Sequence, residues 1–315
     1  MDESKTIMSA RIYIAGHTGM VGSAIVRKLQ RDGFTNLVLR NRQDLDLLDG
    51  EAVRAFFAEQ EPDYVVDSAA RVGGIKANMG HPAEFLYENL QIQNNLIWAA
   101  KDSGVKKFVF LASSCMYPRA CPQPMSEESL FGGEPEPTNE AYAYAKIVGL
   151  KLCEYVREQF GLNFTTCVPT NIFGENDNFD LDSSHVIPAL MRRIHQAKVE
   201  SRSQVVVWGD GTARREFLHV DDLASAVVWF LKDYDGSRLL NIGTGEDISI
   251  RELALTVKAV VGYRGELVFD ASKPSGMPRK LLDVSRLHAA GWHHAIDFEE
   301  GLRRTYQWFL GTQAL

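Results

Sequence analysis

The stretch "RIYIAGHTGMVGSAIVRKLQRDG" (residues 11–33) decides the fold class. A short apolar run leads into three glycines, and the pattern of an amphipathic helix follows them. In such a strand-loop-helix unit the glycines allow a tight turn and close approach of a pyrophosphate, and the helix N-terminus offers free N–H groups. The stretch therefore predicts a dinucleotide-binding loop. Its residues are Gly16, His17, Thr18, Gly19, Met20, Val21 and Gly22. An ordinary glycine-rich turn is the alternative.

Further β-rich runs continue the alternation of strands and helix-length segments through the first half of the chain. They are residues 36–40, 63–70, 106–114 and 163–170. Strands spaced in this way indicate βαβ units and a parallel sheet. After "NIFG" (171–174) the pattern loosens into the polar, turn-rich stretch 175–184. We therefore expect an α/β protein with a doubly wound parallel sheet, followed by a second and smaller region.

Composition and charge narrow the class of protein. The 315 residues carry a formal charge of −7 and no block of lysine and arginine, which disfavours a nucleic-acid or anionic-membrane partner. The chain shows no signal-peptide pattern and no run of about 18 apolar residues, so we expect a cytoplasmic protein. The four cysteines lack the paired spacing of a zinc site, and we expect neither a metal nor a disulfide.

The end of the second predicted strand bears on the choice of cofactor. In "LVLRNRQDLD" (37–46), Arg40 and Arg42 stand where an NAD site usually has an acid for the adenosine ribose. An arginine at this place binds a 2′-phosphate, so the stretch favours NADPH over NADH. The alternative is that both arginines are solvated at the strand end, because Asp44 and Asp46 follow closely.

A tyrosine and a lysine lie on one predicted helix. "PTNEAYAYAKIVGLKLCEYVREQFG" (137–161) predicts a helix that starts near Thr138 or Asn139 and ends before the final glycine. Tyr142 and Lys146 share a face of this helix, whereas Tyr144 projects from nearly the opposite side. A neighbouring ammonium favours the phenolate, so we expect Lys146 to lower the pKa of Tyr142 and prepare it for proton transfer.

The segment "SSCMYP" (113–118) adds a thiol that a plain carbonyl reductase does not need. The protons on C3 and C5 of a 4-keto sugar lie next to the carbonyl, so a base and an acid on opposite faces can exchange them. Cys115 is a suitable base, and His185 in "DSSHVIPALMRR" (182–193) is a suitable acid. The pair predicts epimerisation before reduction. Alternatively, Cys115 is a small buried apolar residue and His185 a packed or capping one.

Eight motifs together resemble the GDP-L-fucose synthase family of the extended short-chain dehydrogenase/reductases, from about residue 11 to residue 309. They are "GHTGMVGSA", "AARVGGIKAN", "SSCMYP", "PTNEAYAYAK", "PTNIFG", "SHVIPALMRR", "VVVWGDGTARREFLHVDD" and "KPSGMPRKLLDVSRL". The resemblance implies 3,5-epimerisation and NADPH-dependent 4-reduction of GDP-4-keto-6-deoxy-D-mannose to GDP-L-fucose by a homodimer. It also implies a Rossmann-type NADP-binding domain over residues 1–174, with segments near 215–245 returning to it, and a smaller α/β GDP-sugar domain over 175–315.

The resemblance also implies roles for single residues. It places Ser113 and Tyr142 at the C4 carbonyl, and Cys115 with His185 as the epimerisation pair. Lys146 supports the tyrosine and the cofactor. It matches the segments 111–114 and 169–172 to stretches that line the cofactor. The further residues that we expect at the cofactor are therefore Arg40, Leu111, Ala112, Ser113, Ser114, Pro169, Thr170, Asn171, Ile172 and His185. Those that it places at the GDP-sugar are Arg193, Trp208, Arg215 and Lys280. Cations offset a diphosphate, and an indole packs against a sugar or base.

Several alternatives remain open at this point. Arg215 with its neighbour Arg214 can form a solvated salt-bridge cluster, and Trp208 can fill core. Arg71 in "ARVGG" departs from the family pattern, where we expect a lysine or a smaller residue. Among enzymes, the rivals are a 4-epimerase or a 4,6-dehydratase acting on another nucleotide sugar. A non-catalytic NADP-sensing module on the same fold is the rival from another class.

Overall fold

The structure is a computed structural model that describes residues 7–181, 183–273 and 277–313. The charged N-terminal stretch 1–6 and the part 274–276 of "KPSGMPRKLLDVSRL" lie outside the described residues. Asp182, which opens "DSSHVIPALMRR", also lies outside them. Predictions that involve these residues therefore stay predictions.

The strands and helices are numbered here in chain order. The strands are β1 Ile12–Ala15, β2 Leu37–Val38, β3 Tyr64–Asp67, β4 Lys107–Leu111, β5 Asn163–Pro169, β6 Asn171–Phe173, β7 Gln204–Trp208, β8 Arg214–His219, β9 Leu240–Ile242, β10 Asp247–Ser249, β11 Glu266–Asp270 and β12 Arg279–Lys280. The helices are α1 Met20–Arg31, α2 Gly50–Gln60, α3 Ile75–Gly80, α4 Pro82–Asp102, α5 Glu140–Phe160, α6 Val186–Val199, α7 Val220–Lys232, α8 Ile250–Val261, α9 Ser285–Ala289 and α10 Phe298–Gln313. Short 3-10 turns span Ser114–Met116, Glu127–Phe131 and Pro137–Asn139.

Six parallel strands form the central sheet in the order β2-β1-β3-β4-β5-β9. Strands β1, β4 and β5 are buried along almost their whole length, as expected when helices cover both faces of a parallel sheet. Helix α1 packs against α7. Helix α4 packs against α2 and also against α5. The winding reverses between β1 and β3, so a ligand crevice is expected at the carboxyl ends of these strands.

Helices α1 and α5 form where the sequence predicts them. The buried residues of α1 recur on one face, at Gly22, Ala24, Ile25 and Leu29. Helix α5 begins at Glu140, with Asn139 as its N-terminal cap residue, and ends at Phe160. Its C-terminal cap residue, Gly161, adopts a left-handed conformation with φ of 70°. Glycine adopts this conformation without a Cβ clash, which explains why the helix stops there.

Buried apolar residues form two clusters. The first follows the central sheet and contains most of α7, the strand β9, and Leu282, Val284, Leu287 and Trp292 from near the C-terminus. The second lies among α6, α8 and α10, with Phe173 and Phe217 between them. The chain therefore crosses back to the central sheet in two segments after residue 174. The boundaries of the two domains stay a prediction.

Smaller sheets carry the remaining strands. Strand β8 pairs with β6, β10 and β12, and β7 pairs in parallel with β11. Because β6 directly follows β5, this arrangement joins β8 and β12 to the carboxyl edge of the central sheet.

Among the described residues, no helix is both long enough and apolar enough to cross a membrane.

Candidate active site

The glycine loop joins β1 to α1, and backbone atoms pack so closely around it that a side chain would not fit at two of its positions. Gly16 has a φ of +76°, and a Cβ there would lie 2.8 Å from the Cα of Ala69. A Cβ on Gly22 would lie 2.2 Å from the carbonyl oxygen of Gly16. Gly19 is the N-terminal cap residue of α1 and makes no side-chain capping bond, and the first turn of the helix carries no acid. Nδ1 of His17 is buried, with no hydrogen-bond partner in the described part of the chain. Close backbone approach and free N–H groups fit a bound pyrophosphate.

The two arginines after β2 are not neutralised by the acids that follow them. Arg40 is half-buried, with its guanidinium carbon 5.7 Å from the centroid of the Phe56 ring, while Arg42 is exposed. In the described part of the chain neither arginine forms an ion pair. Arg40 donates one hydrogen bond to the carbonyl of Leu39 at 2.9 Å, and the Asp46 carboxylate accepts the backbone N–H of Leu48. Both guanidinium groups are therefore available to a phosphate.

Replacing Arg40 with alanine is expected to weaken NADPH binding selectively. Hydrogen bonds to a charged group contribute about 1.5 to 3 kcal/mol, so the Kd for NADPH should rise about 10- to 100-fold. The Kd for NADH, which lacks the 2′-phosphate, should change little. Fluorescence titration of both nucleotides measures the difference, with Arg54→Ala, an exposed arginine on α2, as the matched control. An unchanged preference for NADPH would exclude this role for Arg40.

Tyr142 and Lys146 lie on the buried face of α5, as the spacing predicts. Lys146 is only 3% exposed, and its Nζ donates a hydrogen bond to the carbonyl of Leu111 at 2.9 Å. The same Nζ lies 6.0 Å from the centroid of the Tyr142 ring. The Tyr142 hydroxyl shares a hydrogen bond with Ser113. Tyr144 is 43% exposed on the other side of the helix, so Tyr142 is the tyrosine at the site.

The pKa of Tyr142 differs from the expectation. Burial raises it, the charges of Cys115 and Asp67 raise it further, and only the hydrogen bond with Ser113 lowers it. The expected lowering by Lys146 is not seen, and the ammonium donates its hydrogen bond to the Leu111 carbonyl instead. Burial also lowers the pKa of Lys146 itself, against the raising effect of Asp67. In this environment Tyr142 is a protonated phenol, the form that donates a proton.

Cys115 lies in a polar environment that favours the thiolate. Its Sγ is 3.4 Å from Nζ of Lys280. Burial raises the pKa of the thiol, but the charge of Lys280 and hydrogen bonds from Ser113, Lys280 and Asn139 outweigh this and lower it. The interpretation of Cys115 as a small apolar core residue is therefore wrong. All four thiols are free, and burial raises the pKa of Cys153 and Cys167.

Asn139 is a site residue that the sequence did not reveal. The sequence suggested it only as a helix cap, but its side chain makes no capping hydrogen bond. Instead it bonds to Cys115. The sequence contains no local signal for this contact, because Asn139 and Cys115 come together only when α5 packs beside the 3-10 turn Ser114–Met116.

His185 precedes α6 at the N-terminal cap position but makes no side-chain capping bond, so the capping alternative fails. Its side chain keeps contact with solvent although protein surrounds it on most sides, as expected in a cleft. Burial lowers the pKa of His185, and the charge of Lys280 lowers it further. Lys280 thus acts on both members of the predicted epimerisation pair. The sequence predicts His185 as the acid of the pair, but its lowered pKa favours the neutral imidazole, so the ring must take up a proton before it can act as that acid.

Arg215 and Lys280 form a pair of cations that no carboxylate among the described residues neutralises. They are register partners on the parallel strands β8 and β12, so their side chains lie side by side. Among the described residues no carboxylate forms an ion pair with either of them, whereas Arg214 bonds to Asp247. Burial also lowers the pKa of Arg215, which marks an incompletely compensated charge. The salt-bridge alternative therefore holds for Arg214 only, and the pair suits an anionic ligand.

Glu216 holds these two strands together, a role that the sequence did not reveal. The buried carboxylate accepts the backbone N–H groups of Thr244 at 2.7 Å, Gly245 at 2.8 Å and Leu282 at 2.9 Å. Leu282 follows Lys280 by two residues, so this contact fixes the end of β12. Glu216 therefore positions Lys280 beside Arg215.

Arg193 and Trp208 meet at the rim of the second region. The guanidinium carbon of Arg193 lies 5.6 Å from the centroid of the Trp208 ring, and Trp208 is 56% exposed. The tryptophan therefore does not fill core. An exposed indole beside an arginine offers a surface on which a base or sugar can stack.

The segments 111–114 and 169–172 lie at the carboxyl ends of the neighbouring strands β4 and β5, on the same edge as the glycine loop. Their side chains are mostly buried. Thr170 and Asn171 donate hydrogen bonds to the carbonyl of Glu216 at 3.3 and 2.7 Å, so these two side chains join β8 to the central sheet. Arg71 pairs with Glu88, so its charge is compensated locally and does not add to the anion site.

Comparison with known proteins assigns this geometry to a family. Residues 12–243 match the profile of the NAD dependent epimerase/dehydratase family. The GDP-L-fucose synthase of Escherichia coli (strain K12) is 53% identical over 312 residues, which cover 96% of this chain and 97% of that protein. The chain belongs to the GDP-L-fucose synthase family.

The fold of this member of the GDP-L-fucose synthase family also matches solved structures. A GDP-L-fucose synthetase from Naegleria fowleri bound to NADP has a TM-score of 0.90 at 30% identity, covering 97% of this chain and 95% of that one. A GDP-6-OMe-4-keto-L-xylo-heptose reductase from C. jejuni has a TM-score of 0.92 at 39% identity, covering 97% and 99%. The predicted doubly wound α/β fold is confirmed.

Proposed function

We propose that this protein converts GDP-4-keto-6-deoxy-D-mannose to GDP-L-fucose, as a bifunctional 3,5-epimerase and NADPH-dependent 4-reductase. The observation that supports it most directly is the environment of Cys115. The thiol lies 3.4 Å from Nζ of Lys280, and Ser113 hydrogen-bonds with both Cys115 and Tyr142. A reductase that does not epimerise has no use for an activated thiol next to its proton donor.

In the proposed epimerisation, Cys115 and His185 exchange protons at C3 and C5 from opposite faces of the sugar. At each carbon, one member of the pair removes the proton as a base, and the other, in its protonated form, delivers a proton to the opposite face of the enolate. The lowered pKa of Cys115 favours the thiolate, and the lowered pKa of His185 makes its imidazolium form a stronger proton donor. Ser113 donates a hydrogen bond to the C4 oxygen, which stabilises the negative charge of the enolate.

In the proposed reduction, Tyr142 donates its proton to the C4 oxygen while Ser113 holds that oxygen in place. Bound NADPH supplies the hydride for C4. The raised pKa of Tyr142 keeps the phenol protonated until negative charge develops on the substrate oxygen. The glycine loop, Arg40 and Lys146 would hold the cofactor at the carboxyl edge of the sheet.

The GDP group is assigned to the cations of the second region. Arg215 and Lys280 would bind the diphosphate, and Trp208 with Arg193 would stack on the base or sugar. Lys280 would then contact both the diphosphate and Cys115, which brings the sugar ring close to the thiol. A homodimer and a cytoplasmic location remain predictions.

The proposal is tested by mixing the protein with GDP-4-keto-6-deoxymannose and NADPH in deuterated water. We expect oxidation of NADPH together with deuterium at both C3 and C5 of the product. Oxidation without deuterium would indicate a simple C4 reductase, an activity named for the C. jejuni structural relative. A 4-epimerase or 4,6-dehydratase would recycle its cofactor and leave added NADPH unconsumed, and a sensing module would bind NADPH without turnover.

A further inference from the structure

Asp67 is a buried acid that none of the roles above explains. It ends β3, next to the point where the winding of the central sheet reverses, and it is 0% exposed. Its Oδ1 accepts the backbone N–H of Ala69 at 3.1 Å, while Oδ2 has no hydrogen-bond partner among the residues that the structure describes. An unpartnered carboxylate oxygen in the interior is costly, so a residue of this kind calls for a functional explanation.

The sheet register places Asp67 beside Lys146. Asp67 pairs with Phe110 on the neighbouring strand β4, and register partners on parallel strands project from the same face. Nζ of Lys146 lies 4.6 Å from the centroid of the Phe110 ring and bonds to the carbonyl of Leu111, the next residue. The lysine ammonium therefore lies over the residue adjacent to Asp67.

The groups that interact electrostatically with Asp67 come from two elements. Tyr13 approaches from β1, and Tyr142, Lys146 and Cys153 approach from α5. Lys146 is the one cation among these four, and it opposes the effect of burial on Asp67. Burial raises the pKa of Asp67 to about 6, which leaves the carboxyl group mainly ionised at neutral pH.

We propose that the carboxylate of Asp67 is a positioning residue for Tyr142 and Lys146, holding both groups in their protonated forms and so favouring the reductive direction. This role rests on the proposed function. The negative charge of Asp67 raises the pKa of both Tyr142 and Lys146. Burial, in contrast, raises the pKa of Tyr142 and lowers that of Lys146. A protonated phenol is the acid that reduction needs, and a protonated lysine is the donor that a cofactor hydroxyl needs.

The test is the pH dependence of NADPH oxidation with GDP-4-keto-6-deoxymannose in wild type, Asp67→Asn and Asp67→Leu. Without the carboxylate, both Tyr142 and Lys146 lose their protons at lower pH. We therefore expect the alkaline limb of kcat to move by about one pH unit or more towards lower pH in both variants. Deuterium exchange at C3 and C5, measured with NADP+ in place of NADPH, should keep its wild-type pH profile.

Denaturant unfolding of the same variants is a second measurement, which shows whether an altered pH profile could result from misfolding. The pKa of Asp67 is higher in the folded chain than its ordinary value of 3.8, so the ionised group destabilises the fold, increasingly as pH rises through about 6. Asp67→Leu should therefore unfold at a higher denaturant midpoint than wild type at neutral pH. At acidic pH the difference in midpoint between the variant and wild type should be smaller. A more stable variant with an altered pH profile cannot owe that profile to misfolding.

Asp63→Asn is the matched control, since Asp63 immediately precedes β3 at the opposite end and pairs with Lys106 near the surface. Its pH profile should follow that of wild type. If the Asp67 variants also follow wild type, the positioning role is overturned while the proposed function stands. If wild type itself does not oxidise NADPH with this substrate, the proposed function fails and this role fails with it.

Discussion

Replacing Cys115 with serine is expected to reduce the rate of deuterium exchange at C3 and C5 by about 10²- to 10⁴-fold. The serine hydroxyl fits the space of the thiol, but it does not ionise near neutral pH, so Lys280 has no anion to stabilise. The Kd for NADPH should stay within about twofold of wild type, because the thiol is not part of the glycine loop. Exchange is followed by NMR of the sugar, and the Kd by nucleotide fluorescence.

Cys121→Ser is the matched control for this substitution. Cys121 is also free and half-buried, and it has no role in the proposed chemistry. Its exchange rates should equal those of wild type. Wild-type exchange in Cys115→Ser would show that another group removes the protons, and the assignment of the epimerisation pair would be abandoned.

Replacing Tyr142 with phenylalanine is expected to separate the two halves of the reaction. The phenol is the proposed proton donor to the C4 oxygen, so kcat for NADPH oxidation should fall about 10²- to 10⁴-fold. Exchange at C3 and C5 should continue, because Cys115 and His185 remain. Within the described part of the chain this hydroxyl bonds to Ser113, so its removal should leave the fold intact.

Tyr144→Phe provides the comparison within the same helix. Tyr144 is two residues away and 43% exposed, and we expect it to have wild-type kcat. Measuring NADPH oxidation and deuterium exchange in both variants separates a chemical effect from a change in α5. A loss of exchange equal to the loss of reduction in Tyr142→Phe would argue against separate acids for the two steps.

The sequence by itself determined the parts of this protein that depend on local spacing. The alternation of strands and helices and the shared face of Tyr142 and Lys146 follow from periodicities of 2 and 3.6 residues. Backbone geometry imposes these periodicities whatever the chain packs against. The glycines of the loop after β1 follow from a turn in which a Cβ would clash with the backbone. The motifs around Cys115 and His185 were likewise recognisable, although their chemical state was not.

Only the tertiary structure decided which groups meet and in what charge state. Lys280 contacts Cys115 across 165 residues of sequence, and Asp67 comes beside Lys146 only through the register of β3 with β4. Lys146 was expected to lower the pKa of Tyr142, but burial and Asp67 raise it. Desolvation and charge interactions depend on everything within several ångströms in space, and separation along the chain carries no information about those distances.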